Sequence, residues 1–294
     1  MTGRTPGILL RFNFQRGTSC YKCVMSTIVA PALACAAMVA AAVAVLGQAA
    51  PAGSCVVVQE LSATRPLVER GGCSTRLSPA STFKIPHALV ALETGVVTVD
   101  SVERWDGTRY EQQSEWNHDH TVISALRPSV LWVFQRIAPR IGAERMRSWL
   151  DAFEYGNRDV SGPVTQYWIN GRLRASPLEQ LAFLRRFYRE DLPVSVVHLK
   201  AVRKGLEQQP GTVQNALGVH RIGGDWRNAT LNSKTGATTT DDQRVSWLVG
   251  LLRASGHDYV FAAAVWRADG AVDTLDATRL AVDTFISAKL LPSK

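Results

Sequence analysis

A serine and a lysine three residues apart are the first candidates for chemistry in this chain. Ser81 and Lys84 lie in the segment LSPASTFKIP, residues 77–86. Residues i and i+3 lie on one face of a helix, so a helix that starts here brings the hydroxyl close to the amine. A serine beside a base is an arrangement suited to nucleophilic catalysis. Backbone N–H groups at a helix start can also hold an oxyanion.

An ordinary helix start is the alternative for this pair. Ser81 would then be an N-cap and Lys84 a solvated side chain. A Ser-x-x-Lys pair is expected about once by chance in a chain of this length. The apolar residues that follow, Ile85, Pro86 and Ala88, favour a lysine in apolar surroundings. The pair alone therefore leaves both interpretations open.

A second motif, Lys234-Thr235-Gly236, is rarer than the first. Three fixed residues occur by chance about once in several thousand positions. The segment RNATLNSKTGATT around it predicts a strand, which places Lys234 and Gly236 on one face and Thr235 on the other. The glycine would let a substrate approach the backbone closely. A strand end followed by a turn is the structural alternative.

The elements that must position these residues change in type along the chain. Short β-branched segments predict strands at 54–61 and 65–73. Apolar periodicity then predicts helices at 81–95, 124–141, 143–153 and 177–188, the last begun by the Ser176-Pro177 pair. Strands return at 227–239, 244–254 and 259–268, before a final helix at 275–291. Because strands flank a long helical middle, the sequence predicts one sheet completed by the C-terminal half, with the helical part inserted.

Composition and charge bound the classes of protein that fit. The 294 residues, 46% of them hydrophobic, suffice for a globular domain with a substantial core. The formal net charge is +8, and the first 50 residues contribute four basic residues and no acidic one, so the remainder carries +4. No Lys/Arg-rich run with interleaved aromatic residues occurs, which argues against nucleic-acid binding.

The N-terminal segment has the composition of a secretory leader. Its basic residues precede a charge-free apolar run at 24–50, and small residues near 48–52 offer Ala-x-Ala cleavage sites. We therefore predict a signal peptide or leader at 1–52 and a catalytic domain at 53–294. An uncleaved membrane anchor is the alternative, because the run is longer than a usual signal core. A start at Met25 would remove the basic region.

Five cysteines are present: Cys20, Cys23, Cys35, Cys55 and Cys73. The Cys20-x-x-Cys23 pair lacks the second pair that a zinc site of this type needs. Cys55 and Cys73 remain in the exported part and predict a disulfide that closes a loop of about 18 residues and contributes about 3 kcal/mol on the chain-entropy model. Two buried free thiols are the alternative.

Taken in order, these motifs resemble the class D β-lactamases, the oxacillinases, within the penicillin-interacting serine enzymes. The resemblance extends from residue 54 to the end of the chain. It is carried by the segments SPASTFKIP (78–86), RPSVLWVFQRIAPRIGAERM (127–146), FEYGNRDVSG (153–162), YWINGRLRASPLEQ (167–180), SKTG (233–236) and ATRLAV (277–282). Cys55 and Cys73 also fall where many members of this family have cysteines.

The resemblance implies an α+β fold, with a mainly antiparallel sheet flanked by helices and an inserted helical subdomain. It also implies hydrolysis of the β-lactam ring of penicillin-type antibiotics in the periplasm. The implied partner is the small-molecule β-lactam substrate. Ser81 would attack the β-lactam carbonyl and form an acyl-enzyme. Lys84 would react with CO2 or bicarbonate to give N6-carboxylysine, a base for acylation and deacylation. No other cofactor and no metal is implied.

The resemblance assigns three further catalytic residues. Trp168 would donate its indole N–H to the carbamate on Lys84; a core aromatic residue is the alternative. Ser129 would relay a proton to the leaving ring nitrogen. Lys234 would support that relay and attract the substrate.

The substrate-binding residues that the resemblance implies are Thr235, Gly236, Ala237 and Arg279. Thr235 and Arg279 would hold the substrate carboxylate, the latter through its fork of donors; for Arg279 the alternative is a surface helix charge. The backbone N–H groups of Ser81 and Ala237 would form the oxyanion hole. The predicted walls of the site are Leu131 and the segment Tyr155, Gly156 and Asn157.

Two departures from the family pattern concern the substrate range and deacylation. The motif Ser129-Val130-Leu131 has leucine where the family usually has valine beside the modified lysine. The segment VSWLVGLL at 245–252 differs from the family's Gly-Trp-Trp-Val-Gly-Trp pattern. His118 and His120 could suggest a metal pair, but no third ligand motif accompanies them, and we interpret this segment as a polar lead into the next helix.

Two other functions fit the same site chemistry. A β-lactam sensor would be acylated without turnover, and retention of the apolar leader would favour it. A penicillin-binding peptidase is the third possibility, although the Tyr-Gly-Asn segment and Trp168 suit the hydrolase better. The sequence predicts neither the oligomeric state nor the substrate spectrum.

Overall fold

The computed structural model describes residues 52–240 and 243–293. The predicted leader, its apolar run and its three cysteines lie outside these residues. Within the described part, no helix combines the length and the hydropathy that a membrane crossing requires.

The strands and helices follow in chain order. The strands are β1 (Gly53–Glu60), β2 (Val68–Gly71), β3 (Val102–Glu103), β4 (His120–Thr121), β5 (Thr212–Asn215), β6 (Gly218–Arg221), β7 (Ala229–Thr239), β8 (Arg244–Ala254) and β9 (His257–Arg267). The helices are α1 (Lys84–Glu93), α2 (Leu131–Ile141), α3 (Ala143–Phe153), α4 (Pro177–Arg189), α5 (Val196–Gly205) and α6 (Asp276–Ser287). Short 3₁₀ helices cover Ala80–Phe83 and Ser114–Trp116.

A five-stranded antiparallel sheet in the order β2-β1-β9-β8-β7 organises the fold. Its strands come from the two ends of the described chain, and helices α1 to α5 are inserted between β2 and β7. A tight turn with positive φ at Ser255 and Gly256 joins β8 to β9, as two-residue hairpins require. The predicted α+β architecture with an inserted helical part is confirmed.

The two faces of this sheet enter two different cores, because successive side chains of a strand point to opposite sides. Val249 and Ala262 join the core beneath the inserted helices. Their neighbours Leu248 and Ala263 join the core beneath α6, together with Phe285. The sheet therefore separates the helical insertion from the C-terminal helix.

Two helix boundaries and one missed helix differ from the sequence prediction. The predicted helix at 124–141 begins only at Leu131, because Pro128 disfavours helical backbone at the preceding residue and Ser129 has a φ of 59°. Helix α5 was not predicted, although Leu199 and Val202 are buried at helical spacing. The last helix ends at Ser287, and Lys289 beyond it has a φ of 60°.

Two local features support the edges of the insertion. The structure has the Cys55–Cys73 disulfide that the sequence predicts, which ties β1 to the segment after β2. The predicted cap of α4 is a complete capping box, in which Ser176 accepts from the backbone of Glu179 and Glu179 accepts from the backbone of Ser176.

Candidate active site

Ser81 and Lys84 meet at the start of α1. Ser81 lies within the 3₁₀ helix Ala80–Phe83, and α1 continues directly from it at Lys84. The Nζ atom of Lys84 lies 2.7 Å from the Oγ atom of Ser81, within hydrogen-bond distance. The interpretation of Ser81 as an N-cap is wrong, because the N-cap positions belong to Pro79 and Phe83 and no side chain caps either helix.

Buried hydrogen bonds hold this turn in place from several directions. The hydroxyl of Ser78 donates to the carbonyl of Ile169 at 2.7 Å, and the carbonyl of Ser78 accepts from the indole of Trp247 at 2.9 Å. The hydroxyl of Thr82 donates to Pro79 and accepts from the amide of Gln180, both at 2.6 Å. The nucleophile candidate therefore sits on a rigid segment tied to both the sheet and α4.

Lys84 is fully buried in apolar surroundings. Its Nζ lies 5.4 Å from the centre of the Phe134 ring. No carboxylate of the described residues forms a salt bridge with it, and burial lowers the pKa of Lys84 to about 7. A large share of this amine is therefore neutral at neutral pH, which a nucleophilic or basic amine requires.

Lys234 enters the same site from β7. Its register places it opposite Val249, on the face toward the inserted helices, and Thr235 opposite Leu248 on the other face. This arrangement agrees with the strand prediction. The Nζ of Lys234 is buried and donates to the carbonyl of Thr235 at 2.8 Å. Burial, together with the positive charge of Lys84, lowers the pKa of Lys234 well below its ordinary value.

A small cleft of about 70 Å³ opens above Ser81. It is smaller than typical small-molecule pockets, which measure about 300–1,000 Å³. The structure brings five of the predicted residues to its lining: Ser81, Ser129, Thr235, Gly236 and Ala237. Four residues that the sequence analysis did not single out complete the lining: Asn215, Ala216, Leu217 and Thr274.

Gly236 allows β7 to pack directly on the turn that carries Ser81. A Cβ atom at this position would lie 3.1 Å from the Cγ2 of Thr82 and 3.2 Å from the carbonyl oxygen of Pro79. The glycine therefore serves the contact between strand and turn, in addition to the close substrate approach that was predicted. The result is that Ser81 and the edge of β7 line one cleft.

Trp168 lies behind the cleft and is fully buried. Its ring stacks on Phe83 with the centres 6.0 Å apart, and its indole N–H has no hydrogen-bond partner in the described part of the chain. An orphaned buried donor is uncommon and calls for an explanation. A neutral buried amine at Lys84, apolar walls and this free N–H together fit a carbamate on Lys84.

The segment Tyr155, Gly156 and Asn157 differs in position from the predicted wall. Tyr155 is fully buried, packs on Phe83 and donates to Gln180 at 3.2 Å. Gly156 has a φ of 55°, and Asn157 bonds the backbone at 172 and 174. These residues do not line the cleft; they support the turn from behind, because their side chains are taken up by packing and backbone contacts.

Arg279 and Leu131 also lie outside the lining of the cleft. The guanidinium of Arg279 is about half exposed and forms ion pairs with Asp276 at 2.8 Å and Asp273 at 3.5 Å. Asp273 adjoins Thr274, which does line the cleft. Leu131 is the first residue of α2 and packs against the core below it. The structure thus brings Arg279 near the rim with its charge already partnered.

Some site residues gave little signal in the sequence. Asn215, Ala216 and Leu217 belong to the β5–β6 hairpin, and nothing in a short hairpin shows which cleft it borders. His87 could have been found, since it lies three residues after Lys84 on the same helical face.

The His118 and His120 segment makes ordinary local contacts. His120 places one ring nitrogen 3.0 Å from the hydroxyl of Ser124 and the other 2.7 Å from the carbonyl of Glu115. Among the described residues, no group of three histidine, cysteine or acidic side chains is arranged to hold a metal ion.

Comparison with known proteins places this fold and site in a family. The family model "Penicillin binding protein transpeptidase domain" matches residues 59–285. The probable β-lactamase YbxI of Bacillus subtilis (strain 168) is 38% identical over 197 residues, which is 67% of this chain and 67% of that protein. The regulatory protein BlaR1 of Bacillus licheniformis is 32% identical over 203 residues, 68% of this chain but 31% of that protein. A crystal structure of a class D β-lactamase from Bacillus subtilis superposes with a TM-score of 0.67 at 32% identity, covering 82% of this chain and 93% of that one.

The fold, together with the site formed by Ser81, Lys84 and Lys234, is that of a serine enzyme of the penicillin-binding type. The chain belongs to the class D serine β-lactamase family. The family that the sequence motifs predicted is therefore confirmed.

Proposed function

We propose that this protein hydrolyses the β-lactam ring of penicillin-type antibiotics through an acyl-enzyme on Ser81. The observation that carries the proposal is the 2.7 Å contact between Lys84 Nζ and Ser81 Oγ, beside a cleft that Ser81 lines, in a chain of this family. A nucleophile held against its base is the arrangement that acyl transfer requires. The relatives that carry the name β-lactamase support the same activity.

The chain's own residues divide the two half-reactions. The base at Lys84 takes the proton of Ser81 Oγ, which forms a bond to the lactam carbonyl carbon, and the carbon–nitrogen bond of the ring then breaks. Ser129, which shares the cleft lining with Ser81, delivers a proton to the departing nitrogen. Lys234, with its pKa lowered by burial, supports this proton transfer. In deacylation the base at Lys84 takes a proton from water, the water oxygen bonds to the acyl carbon, the bond from that carbon to Ser81 Oγ breaks, and the proton returns to Oγ.

The residues around Lys84 fit a carbamate formed from CO2, which when bound supplies an anionic general base. Burial keeps a large share of the Lys84 amine neutral, the form that can react with CO2. The Phe134 ring lies 5.4 Å from the Nζ of Lys84, and the Trp168 N–H has no partner among the described residues and is free to donate to an anion in this cluster. Burial also supports the carbamate in a second way, because a charged lysine that lacks a carboxylate partner is unfavourable at this position.

Substrate binding falls to the edge of β7 and its surroundings. Thr235 and Arg279 hold the carboxylate of the antibiotic, and the backbone N–H groups of Ser81 and Ala237 hold the oxyanion. Arg279 must leave or share its contacts with Asp273 and Asp276 to do so. This competition makes Arg279 a weaker contributor than an unpaired arginine would be.

Counting product molecules tests the proposal. The purified protein is mixed with a limited excess of benzylpenicillin in bicarbonate buffer, and penicilloate is measured together with the intact mass of the protein. Many penicilloates for each protein, and a transient adduct that Ser81→Ala lacks, are expected. One stable adduct without turnover would instead support a sensor function, for which the similarity to BlaR1 is the specific observation. No adduct at all would contradict both.

The site of action follows from the leader. The basic and apolar segment at 1–52 directs export, so that the protein meets antibiotics in the periplasm. Osmotic-shock fractionation of cells that express the full chain is expected to release a shortened, active protein. A full-length protein in the membrane fraction would contradict cleavage.

A further inference from the structure

His87 is a buried polar residue that the proposed mechanism does not use. Its side chain is fully buried, and neither ring nitrogen has a hydrogen-bond partner in the described part of the chain. Buried side-chain polar atoms nearly always have a partner, because an unmade hydrogen bond costs more than a made one gains. The imidazole of His87 therefore needs an explanation.

Its surroundings are those of Lys84. His87 follows Lys84 by three residues on α1, so both side chains emerge from one face of the helix. Both also contact the same aromatic ring: the His87 ring lies 5.3 Å and the Lys84 Nζ 5.4 Å from the centre of Phe134. The Trp168 ring, with its own free N–H, lies 5.3 Å from that of His87.

Two unpartnered N–H groups lie in the aromatic cluster that also contacts the Lys84 amine, and both lack an acceptor. If the core position of His87 required only an aromatic ring, phenylalanine would be more favourable, because it would bury no nitrogen without a hydrogen bond. A small anion on Lys84 would give both groups an acceptor. The imidazole is neutral, because burial and the nearby charge of Lys84 lower the pKa of His87 to about 3, and one of its nitrogens then carries a proton to donate.

We propose that His87 is a positioning residue that donates a second hydrogen bond, beside that of Trp168, to the carbamate on Lys84. The inference rests on the proposed function. In forming that group, the neutral amine nitrogen bonds to the carbon of CO2, an electron pair of one C=O bond moves to oxygen, and the amine loses a proton to solvent. A neutral donor can hydrogen-bond the resulting anion without the cost of burying a further charge.

Carbamate occupancy, measured directly, tests His87 apart from activity. The full-length protein is titrated with ¹³C-bicarbonate, and the carbamate carbon signal gives the concentration at half-occupancy. His87→Phe keeps an aromatic ring but removes the N–H. The bicarbonate concentration at half-occupancy is therefore expected to rise by roughly tenfold or more. His87→Asn retains a donor and is expected to recover part of the difference. His257→Phe, the same change at an exposed histidine far from the site, is expected to match the wild type.

A measurement on the unaltered protein covers the case in which the variants fold poorly. With ¹⁵N-labelled histidine, the ring signals of His87 are expected to shift when bicarbonate is added, and to revert on its removal. A wild-type carbamate signal with equal half-occupancy in His87→Phe, or unmoved ring signals, would overturn the role of His87 and leave the proposed function intact. A wild type that hydrolyses no β-lactam and gives no carbamate signal would instead overturn the proposed function itself.

Discussion

The two faces of the central sheet contact cores of different composition. Beneath α6, the core is made of apolar side chains such as Leu248, Phe261 and Phe285, the last two in an edge-to-face pair with centres 4.9 Å apart. Beneath the inserted helices, the core contains buried Lys84 and Lys234 and the unpartnered nitrogens of His87 and Trp168. Thr278 on α6 also has a buried hydroxyl without a partner among the described residues, but the buried lysines lie on the side of the inserted helices.

The difference indicates where chemistry is located. A folded protein buries an unpaired donor or a lysine only at a cost in stability. The face beneath the inserted helices holds several such groups within one aromatic cluster, whereas the core beneath α6 contains no buried lysine among the described residues. We expect substitutions on the two faces to separate activity from stability, and the following predictions run from the largest effect to the smallest.

Ser81→Ala on the chemical face is expected to have the largest effect. Removal of the hydroxyl eliminates the nucleophile, so kcat for penicillin hydrolysis should fall by about 10³-fold or more. Steady-state hydrolysis assays measure it. The melting temperature should change little, because Ser81 makes no contact within the apolar cores. Substantial remaining turnover would remove Ser81 from the mechanism.

Trp168→Phe keeps a large apolar ring but deletes the orphaned N–H. A hydrogen bond to a charged group is worth about 1.5–3 kcal/mol, so hydrolysis at low bicarbonate should fall about 10- to 100-fold. Excess bicarbonate should restore much of the loss, because the binding of CO2 is the step that is weakened. If bicarbonate leaves the variant's rate unchanged, Trp168 is a packing residue only.

The pH profile reports the burial of Lys84. Burial lowers the pKa of Lys84 to about 7, and only the neutral amine can take up CO2. Below pH 7 the neutral fraction falls about tenfold for each pH unit, so activity at limiting bicarbonate should fall on the acid side and recover as the pH rises. Rates between pH 5 and 9 at two bicarbonate concentrations measure this, with circular dichroism as the control for folding. A rate that rises as the pH falls would contradict it.

Phe285→Ala tests the opposite face. Loss of this buried ring opposite Phe261 should lower the free energy of unfolding by about 3–5 kcal/mol. Hydrolysis per folded molecule and its dependence on bicarbonate should stay at wild-type values, because the substitution lies across the sheet from Lys84. Chemical denaturation and active-site titration provide the two readouts. An altered bicarbonate dependence would show that the two faces are not separate.

Arg279→Ala should have the smallest effect on hydrolysis. It tests whether a residue of α6 contributes to substrate binding. Arg279 is on α6 but near the rim of the cleft, and its ion pairs with Asp273 and Asp276 are exposed. Such pairs contribute less than about 1 kcal/mol to stability. KM should rise about three- to tenfold with kcat nearly unchanged, since only binding of the carboxylate is weakened. An unchanged KM would make Arg279 a surface charge alone.

Much of this arrangement could be predicted from the sequence, for physical reasons. Apolar strand-like segments joined by the polar turn at 254–257 predicted β8 and β9, and helical spacing predicted that Ser81 and Lys84 lie close together. The start of α2 was predicted seven residues too early, because apolar periodicity continued through a turn that Pro128 and the left-handed backbone of Ser129 interrupt. Local patterns cannot show which distant segments meet, so the hairpin at Asn215 was missed.

Side-chain partners were the least predictable part. The resemblance implied that Arg279 holds the substrate carboxylate, and in the fold its guanidinium forms ion pairs with Asp273 and Asp276. It indicated Tyr155 as a wall, whereas this side chain is buried behind the turn. His87 had the right spacing from Lys84, but its lack of a partner could be seen only once Phe134 and Trp168 were placed around it.

The most direct test of the account is the turnover number of the wild-type protein with a chromogenic cephalosporin, in buffer stripped of CO2 and again after bicarbonate is restored. The account predicts slow turnover in the stripped buffer and many rapid turnovers after restoration, since Lys84 regains its base while Ser81 is unchanged. A single equivalent of product in both buffers would contradict it and would identify the site as an acylated sensor.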